Sequence, residues 1–67
     1  MSNEDTVLEK AMDNLKEAGQ RIRATRSLMR SQGMNDGENY RDLLTCLSTA
    51  LAMTEAAYLE ARRRSDL

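Results

Sequence analysis

The fold is decided at residues 32–37, which read Gln-Gly-Met-Asn-Asp-Gly. This short polar break separates two long stretches of helical periodicity in a chain of 67 residues that contains no proline. Gly33 is expected to adopt the left-handed conformation that ends a helix, and Asn35 or Asp36 to cap the next one. A break this short favours two helices that lie antiparallel as neighbours.

The segment before the break predicts one helix from about residue 5 to residue 31. Large apolar residues recur every seven positions, and small residues follow three positions after them. This is the a/d pattern of a coiled-coil seam. Gly19 is its weak point, because a glycine inside a helix costs up to ~1 kcal/mol relative to alanine. The large row consists of Leu8, Leu15, Ile22 and Met29, and the small row of Ala11, Ala18 and Thr25.

The segment after the break predicts a second helix from about residue 37 to residue 64, with residues 32–36 as the turn. Between Leu43 and Leu59 its only charged residue is Glu55. A surface helix normally keeps a polar half, and a helix that is apolar nearly all round needs to be covered. Its broad inward face is predicted to consist of Tyr40, Leu43, Leu44, Leu47, Ala50, Leu51, Thr54, Ala57, Tyr58 and Ala61.

A two-helix hairpin covers only one side of its second helix. The hairpin core is expected to combine the large row of the first helix with Leu44, Leu47, Leu51 and Tyr58. The surplus apolar residues are then predicted to bind another chain, and these are Cys46, Met53, Ala56 and Leu59.

The whole chain, residues 1–67, is therefore predicted to be one all-α domain, an antiparallel and coiled-coil-like hairpin. A chain of this length buries a small share of its surface and usually needs a staple or a partner. Its single cysteine cannot form an internal disulfide, and without histidine the chain lacks a zinc-type ligand set. We expect the hairpin to pair with itself or with another helical protein.

The residues do not predict an enzyme, a cofactor site or a metal site. Histidine, the commonest general base, is absent, and Cys46 lies in an uncharged run without a neighbour that would activate it. The carboxylates of Glu9, Asp13 and Glu17 are interpreted as a solvated face, with Glu17 pairing with Arg21 one turn later. With 10 basic and 11 acidic residues, the charge balance does not favour nucleic acid as a partner.

The ends and the hydropathy pattern predict a cytoplasmic protein. The acidic start of the chain lacks the basic and apolar regions of a secretory signal. The longest uncharged run, residues 43–54, is too short and too polar to span a bilayer. A lone thiol fits a reducing compartment.

The layout around the break resembles a known family. A charged helix ends in Leu28-Met29-Arg30, the break follows, and then come Tyr40, Leu43-Leu44, Leu47, Ala50-Leu51 and Ala56-Ala57-Tyr58-Leu59. Over most of the chain this resembles the small co-chaperones of the type III secretion needle protein. The resemblance implies a cytoplasmic hairpin that binds a larger tetratricopeptide-like chaperone. Together the two would hold the needle subunit unpolymerised before export.

Two other interpretations remain open. The first is a homodimeric four-helix bundle that acts as a plasmid- or phage-borne regulator and contacts RNA or DNA. The strict heptad of the first helix supports the dimer, and Arg23, Arg26 and Arg30 on one flank weakly support the nucleic-acid contact. The second is a structural coiled-coil adaptor.

Overall fold

The computed structural model describes residues 3–34 and 37–66. Helix α1 spans Asn3–Ser31 and helix α2 spans Arg41–Ser65, with a 3₁₀ turn over Glu38–Tyr40 leading into α2. The two helices pack against each other and form an elongated hairpin of 49 × 16 × 13 Å. The prediction of an all-α helical hairpin is confirmed.

The end of α1 is set by a glycine, as the sequence predicts. Gly33 has a φ of 73°. The amide of Gly33 donates to the carbonyl oxygen of Arg30 at 3.1 Å, and that of Met34 donates to Met29 at 2.8 Å. This pair of hydrogen bonds is a Schellman motif, which satisfies two of the last free carbonyls of the helix. The helix therefore stops at Ser31, where the prediction placed its end.

The start of α2 differs from the prediction. The regular α-helix begins at Arg41 rather than near residue 37, because Glu38–Tyr40 form a tighter 3₁₀ turn. Such turns are frequent at the N-termini of helices. The predicted caps at Asn35 and Asp36 lie outside the described residues.

The inward face of α2 is narrower than predicted. Leu51 and Ala61 are buried, and the half-buried side chains between and beside them recur at alternating spacings of three and four. Leu43, Ala50 and Ala57 were predicted to face inward, but they are exposed. One neighbouring helix covers only a narrow stripe, and these three lie on its edge. The stripe comprises Leu44, Leu47, Leu51, Thr54, Tyr58 and Ala61.

The inward face of α1 keeps the predicted large row, and Ala11 and Ala18 of the predicted small row are half-buried beside it. Leu8, Leu15 and Ile22 are half-buried and Met29 is buried. Beside them Gly19 is buried, whereas Thr25 is exposed. Leu51 of α2 packs over Gly19, because a Cβ built on that glycine would lie 3.9 Å from the Leu51 Cδ1 atom. A further row under α2 is formed by Met12, Gly19 and Arg26, on the other side of the large row.

The core that results is a single thin layer. Among the described residues, the buried apolar side chains are Met29, Leu51 and Ala61, at 6 to 8% exposure. Thr54 lies within this layer and donates its hydroxyl to the carbonyl oxygen of Ala50 at 2.6 Å. That bond satisfies the hydroxyl locally, so that a polar residue is tolerated in the seam.

Candidate protein-binding surface

The two sides of the hairpin differ in chemistry, and one of them is crossed by an ion pair. On this side the guanidinium of Arg23 donates to the carboxylate of Glu55 at 3.2 Å, joining α1 to α2. A groove of about 320 Å³ runs between the helices here. Its lining residues are Leu15, Lys16, Gly19, Gln20, Arg23, Thr54, Glu55, Tyr58 and Leu59. We call this the charged side.

The direction in which helical side chains lean explains this pair. Thr54 and Tyr58 line the same groove as Leu15 and Gly19, so these two pairs lie at a similar distance from the loop. Because α1 runs toward the loop and α2 runs away from it, Arg23 lies closer to the loop than Glu55 does. Side chains on a helix tilt toward its N-terminus. In an antiparallel pair, Arg23 therefore leans away from the loop while Glu55 leans toward it, and their charged ends meet. The only charge between Leu43 and Leu59 thus has its partner on α1.

On the opposite side of the hairpin, the positions next to the seam are uncharged on both helices, and the ion pair of Glu17 and Arg21 lies beyond Ala18. The positions that flank the seam here are half-buried or exposed and uncharged. On the charged side, the corresponding positions of α1 are Glu9, Lys16, Arg23 and Arg30, and those of α2 are Ser48, Glu55 and Arg62. We call the uncharged side the open face, and its residues are Ala11, Ala18 and Thr25 of α1 with Leu43, Ala50 and Ala57 of α2.

The outer surface of α2, which points away from α1, carries the four residues predicted to bind a partner. Met53 is 67% exposed and Leu59 is 60% exposed, and both Cys46 and Ala56 are exposed as well. Cys46 and Met53 lie toward the open face, Leu59 lies toward the charged side, and Ala56 lies between them. The four therefore form one broad arc around the back of the helix rather than a compact spot.

The arginines are distributed over both ends of the hairpin. Arg23, Arg26 and Arg30 line one shallow depression with Ser27 on the half of α1 nearer the loop. At the other end, Arg63 and Arg64 approach the carboxylate of Glu60 at 2.6 and 3.4 Å.

These ion pairs shift the titration of Glu60 and reduce the free positive charge. The hydrogen bond from Arg63 holds the pKa of Glu60 below its ordinary value of 4.5, with further help from the charges of Arg63 and Arg64. The same bond raises the pKa of Arg63. At the end of the hairpin away from the loop, Arg63 and Arg64 thus share the carboxylate of Glu60, which offsets part of their positive charge.

Other candidate chemistry on α1 and α2 is accounted for by local pairing. Arg21 donates to Glu17 at 2.6 Å, which is the pair expected one turn apart. Over residues 3–34 and 37–66, no three Cys, Asp or Glu side chains converge as metal ligands would. In the same ranges, neither helix has an uncharged stretch long enough to cross a bilayer.

Two features of this surface are not evident from the sequence. Gly19 is a contact point for Leu51, and Arg23 and Glu55 are partners 32 residues apart. A glycine in a heptad pattern normally indicates a defect rather than a contact, and an ion pair between helices leaves no periodic signal. In the sequence, the one indication of this ion pair is that Glu55 is a single charge in an apolar run.

Compared with protein-family models, curated proteins and solved structures, the chain matches none of them significantly.

Proposed function

We propose that this hairpin is a protein-binding co-chaperone that stabilises a larger type III secretion chaperone in the cytoplasm and helps to keep the needle subunit unpolymerised. The observation that carries the proposal is the exposed apolar arc on the outer surface of α2, where Met53 and Leu59 are both more than half exposed. Exposed apolar side chains clustered on one surface are typical of protein-interaction sites. The resemblance to needle co-chaperones names the partner.

The chemistry of the arc fits another helical protein. Its contacts would come from the flexible side chain of Met53, the branched side chain of Leu59 and the small residues Cys46 and Ala56. Methionine adapts to irregular surfaces because its unbranched chain repacks easily. Small residues between larger ones let a partner helix approach closely, and an apolar helix face against a groove is a common recognition mode.

The test is assembly with the proposed partners. The hairpin is co-expressed with the tetratricopeptide-like chaperone and the needle subunit of its own secretion system, and the mass of the complex is measured by light scattering after gel filtration. We expect one complex containing all three chains and no growth of needle polymers. A chaperone and needle subunit that are equally stable and unpolymerised without the hairpin would contradict the proposal.

Substitutions on the arc test the surface itself. Met53→Asp and Leu59→Asp place a charge where the partner is proposed to bind, and each is expected to lower affinity at least about tenfold, because a buried unpaired charge is costly. Ala24→Asp is the matched control, since Ala24 is exposed on the outer surface of α1. If the complex forms equally well with either arc variant, the arc is not the binding surface.

A further inference from the structure

We infer that a second copy of this chain covers the open face, so that the chain on its own forms an antiparallel four-helix bundle of two hairpins. The inference goes beyond the proposed function. It concerns a different surface from the outer arc of α2, and it rests on the balance of surface and charge within this chain alone.

The first argument is the amount of surface that the hairpin leaves exposed. The chain exposes 5368 Å². A compact folded monomer of its mass exposes about 4,300 Å² by the usual scaling of surface with mass. The excess of about 1,100 Å² is larger than the roughly 800 Å² that each partner contributes to a standard interface. A standard interface with one further copy would therefore remove most of this excess.

The second argument is where the uncharged residues lie. A helix in a four-helix bundle buries a stripe wide enough to contact two neighbours, whereas each helix here has only one. On α1 the seam with α2 uses the Gly19 side of the large row, which leaves Ala11 and Ala18 half-buried on the other side. On α2, Ala50 and Ala57 are exposed beside the seam. These four alanines lie on the open face and have no third helix beside them, so the hairpin corresponds to half of a four-helix bundle.

The third argument is the distribution of side-chain size along the open face. Leu43, at 49% exposure, lies near the loop, whereas Ala11 and Ala57 lie toward the other end. A two-fold axis across the face reverses the direction of the second copy. It would place Leu43 of each hairpin against the small residues of the other, so that large side chains fill the space that small ones leave.

The charge of the chain also permits this pairing. Two copies with a formal net charge of −1 each repel one another only weakly. The charged positions that flank the seam lie on the other side of the hairpin, where Arg23 and Glu55 already pair with each other. The bundle would therefore bury the open face without burying those charges.

The test compares two alanines on the same helix. The purified chain alone is expected to show twice its 7.6 kDa mass in sedimentation equilibrium. Ala50→Glu puts a charge on the open face and is expected to weaken the dimer at least about tenfold, because it buries a charge without a partner. Ala52→Glu is the matched control, since Ala52 is also exposed in α2 but lies toward the charged side. The Ala52→Glu variant is expected to remain a dimer.

The outcomes separate cleanly. A wild-type chain that stays monomeric at its highest working concentration overturns the inference. The inference is also overturned if the wild-type chain is a dimer and both variants disrupt it, or if neither variant does. Helix content measured by circular dichroism identifies an unfolded variant, and Ala57→Glu then replaces Ala50→Glu while Ala52→Glu stays the control. Self-association is measured without the chaperone, so its failure leaves the proposed co-chaperone function to its own test.

Discussion

Gly19 is a residue at which the two helices pack against each other. It is buried, and the space above it would admit a Cβ at ordinary contact distance from Leu51. Nothing in that contact requires a glycine, and Gly19 lies within a continuous helix without a left-handed φ. The position therefore combines the entropic cost of a helical glycine with room for a methyl group.

We accordingly predict that Gly19→Ala stabilises the hairpin by about 0.5–1 kcal/mol, measured as the free energy of unfolding in urea. Gly33→Ala is the contrasting variant. The left-handed φ of 73° at Gly33 is unfavourable for a residue with a side chain, so this change is expected to destabilise by about 1–2 kcal/mol. A loss of stability in Gly19→Ala would show that the helices cannot accept the methyl group.

The ion pair between Arg23 and Glu55 is expected to contribute little to stability. Both side chains are more than half exposed. Pairs of this kind contribute about 0–1 kcal/mol, because water screens them and two long side chains must be held in place.

At the scale of the helices, α2 is informative because its residues separate into seam, open face and outer arc. Leu51 and Leu43 are chemically identical but differ in surroundings, at 8% and 49% exposure. The sequence pattern predicts both to face inward. The structure places only Leu51 under the neighbouring helix, where it packs over Gly19.

We predict that Leu51→Ala lowers the free energy of unfolding by about 2 kcal/mol or more, since it opens a cavity in the seam. Leu43→Ala is expected to lower the free energy of unfolding by less than half as much when dilute chains are compared, because about half of the surface of Leu43 is already in contact with water. The measurement is chemical unfolding followed by circular dichroism. Equal losses would mean that the broad inward face predicted from the sequence is the correct one.

At the scale of the whole molecule, the hairpin is limited by how little it buries. Among the described residues, no side chain is fully buried, and the core is one layer between two helices. A chain of this size that lacks a disulfide is expected to draw much of its stability from association. Binding that occurs only in the folded state makes apparent stability depend on concentration.

We predict that the unfolding midpoint of the chain alone rises with its concentration, because each tenfold increase adds about 1.4 kcal/mol, per mole of dimer, to the apparent free energy of unfolding. Thermal melts over a wide concentration range measure this directly, and Ala50→Glu is expected to remove most of the dependence. A midpoint that is constant with concentration would contradict self-association.

The sequence predicts the helices well because their signals are local. The heptad row from Leu8 to Met29 identifies the side of α1 that faces inward, and the glycine at residue 33 marks the helix end to the residue. The start of α2 was less predictable, since the 3₁₀ turn before Arg41 has no distinctive composition. The partner surface was predicted only as an excess of apolar residues, and its residues are exposed.

The sequence by itself determined two helices, their antiparallel hairpin and the central row of the seam, because periodicity and a left-handed glycine act within a few residues. Only the tertiary structure decided on which side of that row α2 packs. Ala11 and Ala18 form one edge and Met12 and Gly19 the other, and of these four only Gly19, which lies under Leu51, is buried. That contact depends on both helices at once. It also decides which apolar residues remain uncovered, and hence where another chain can bind.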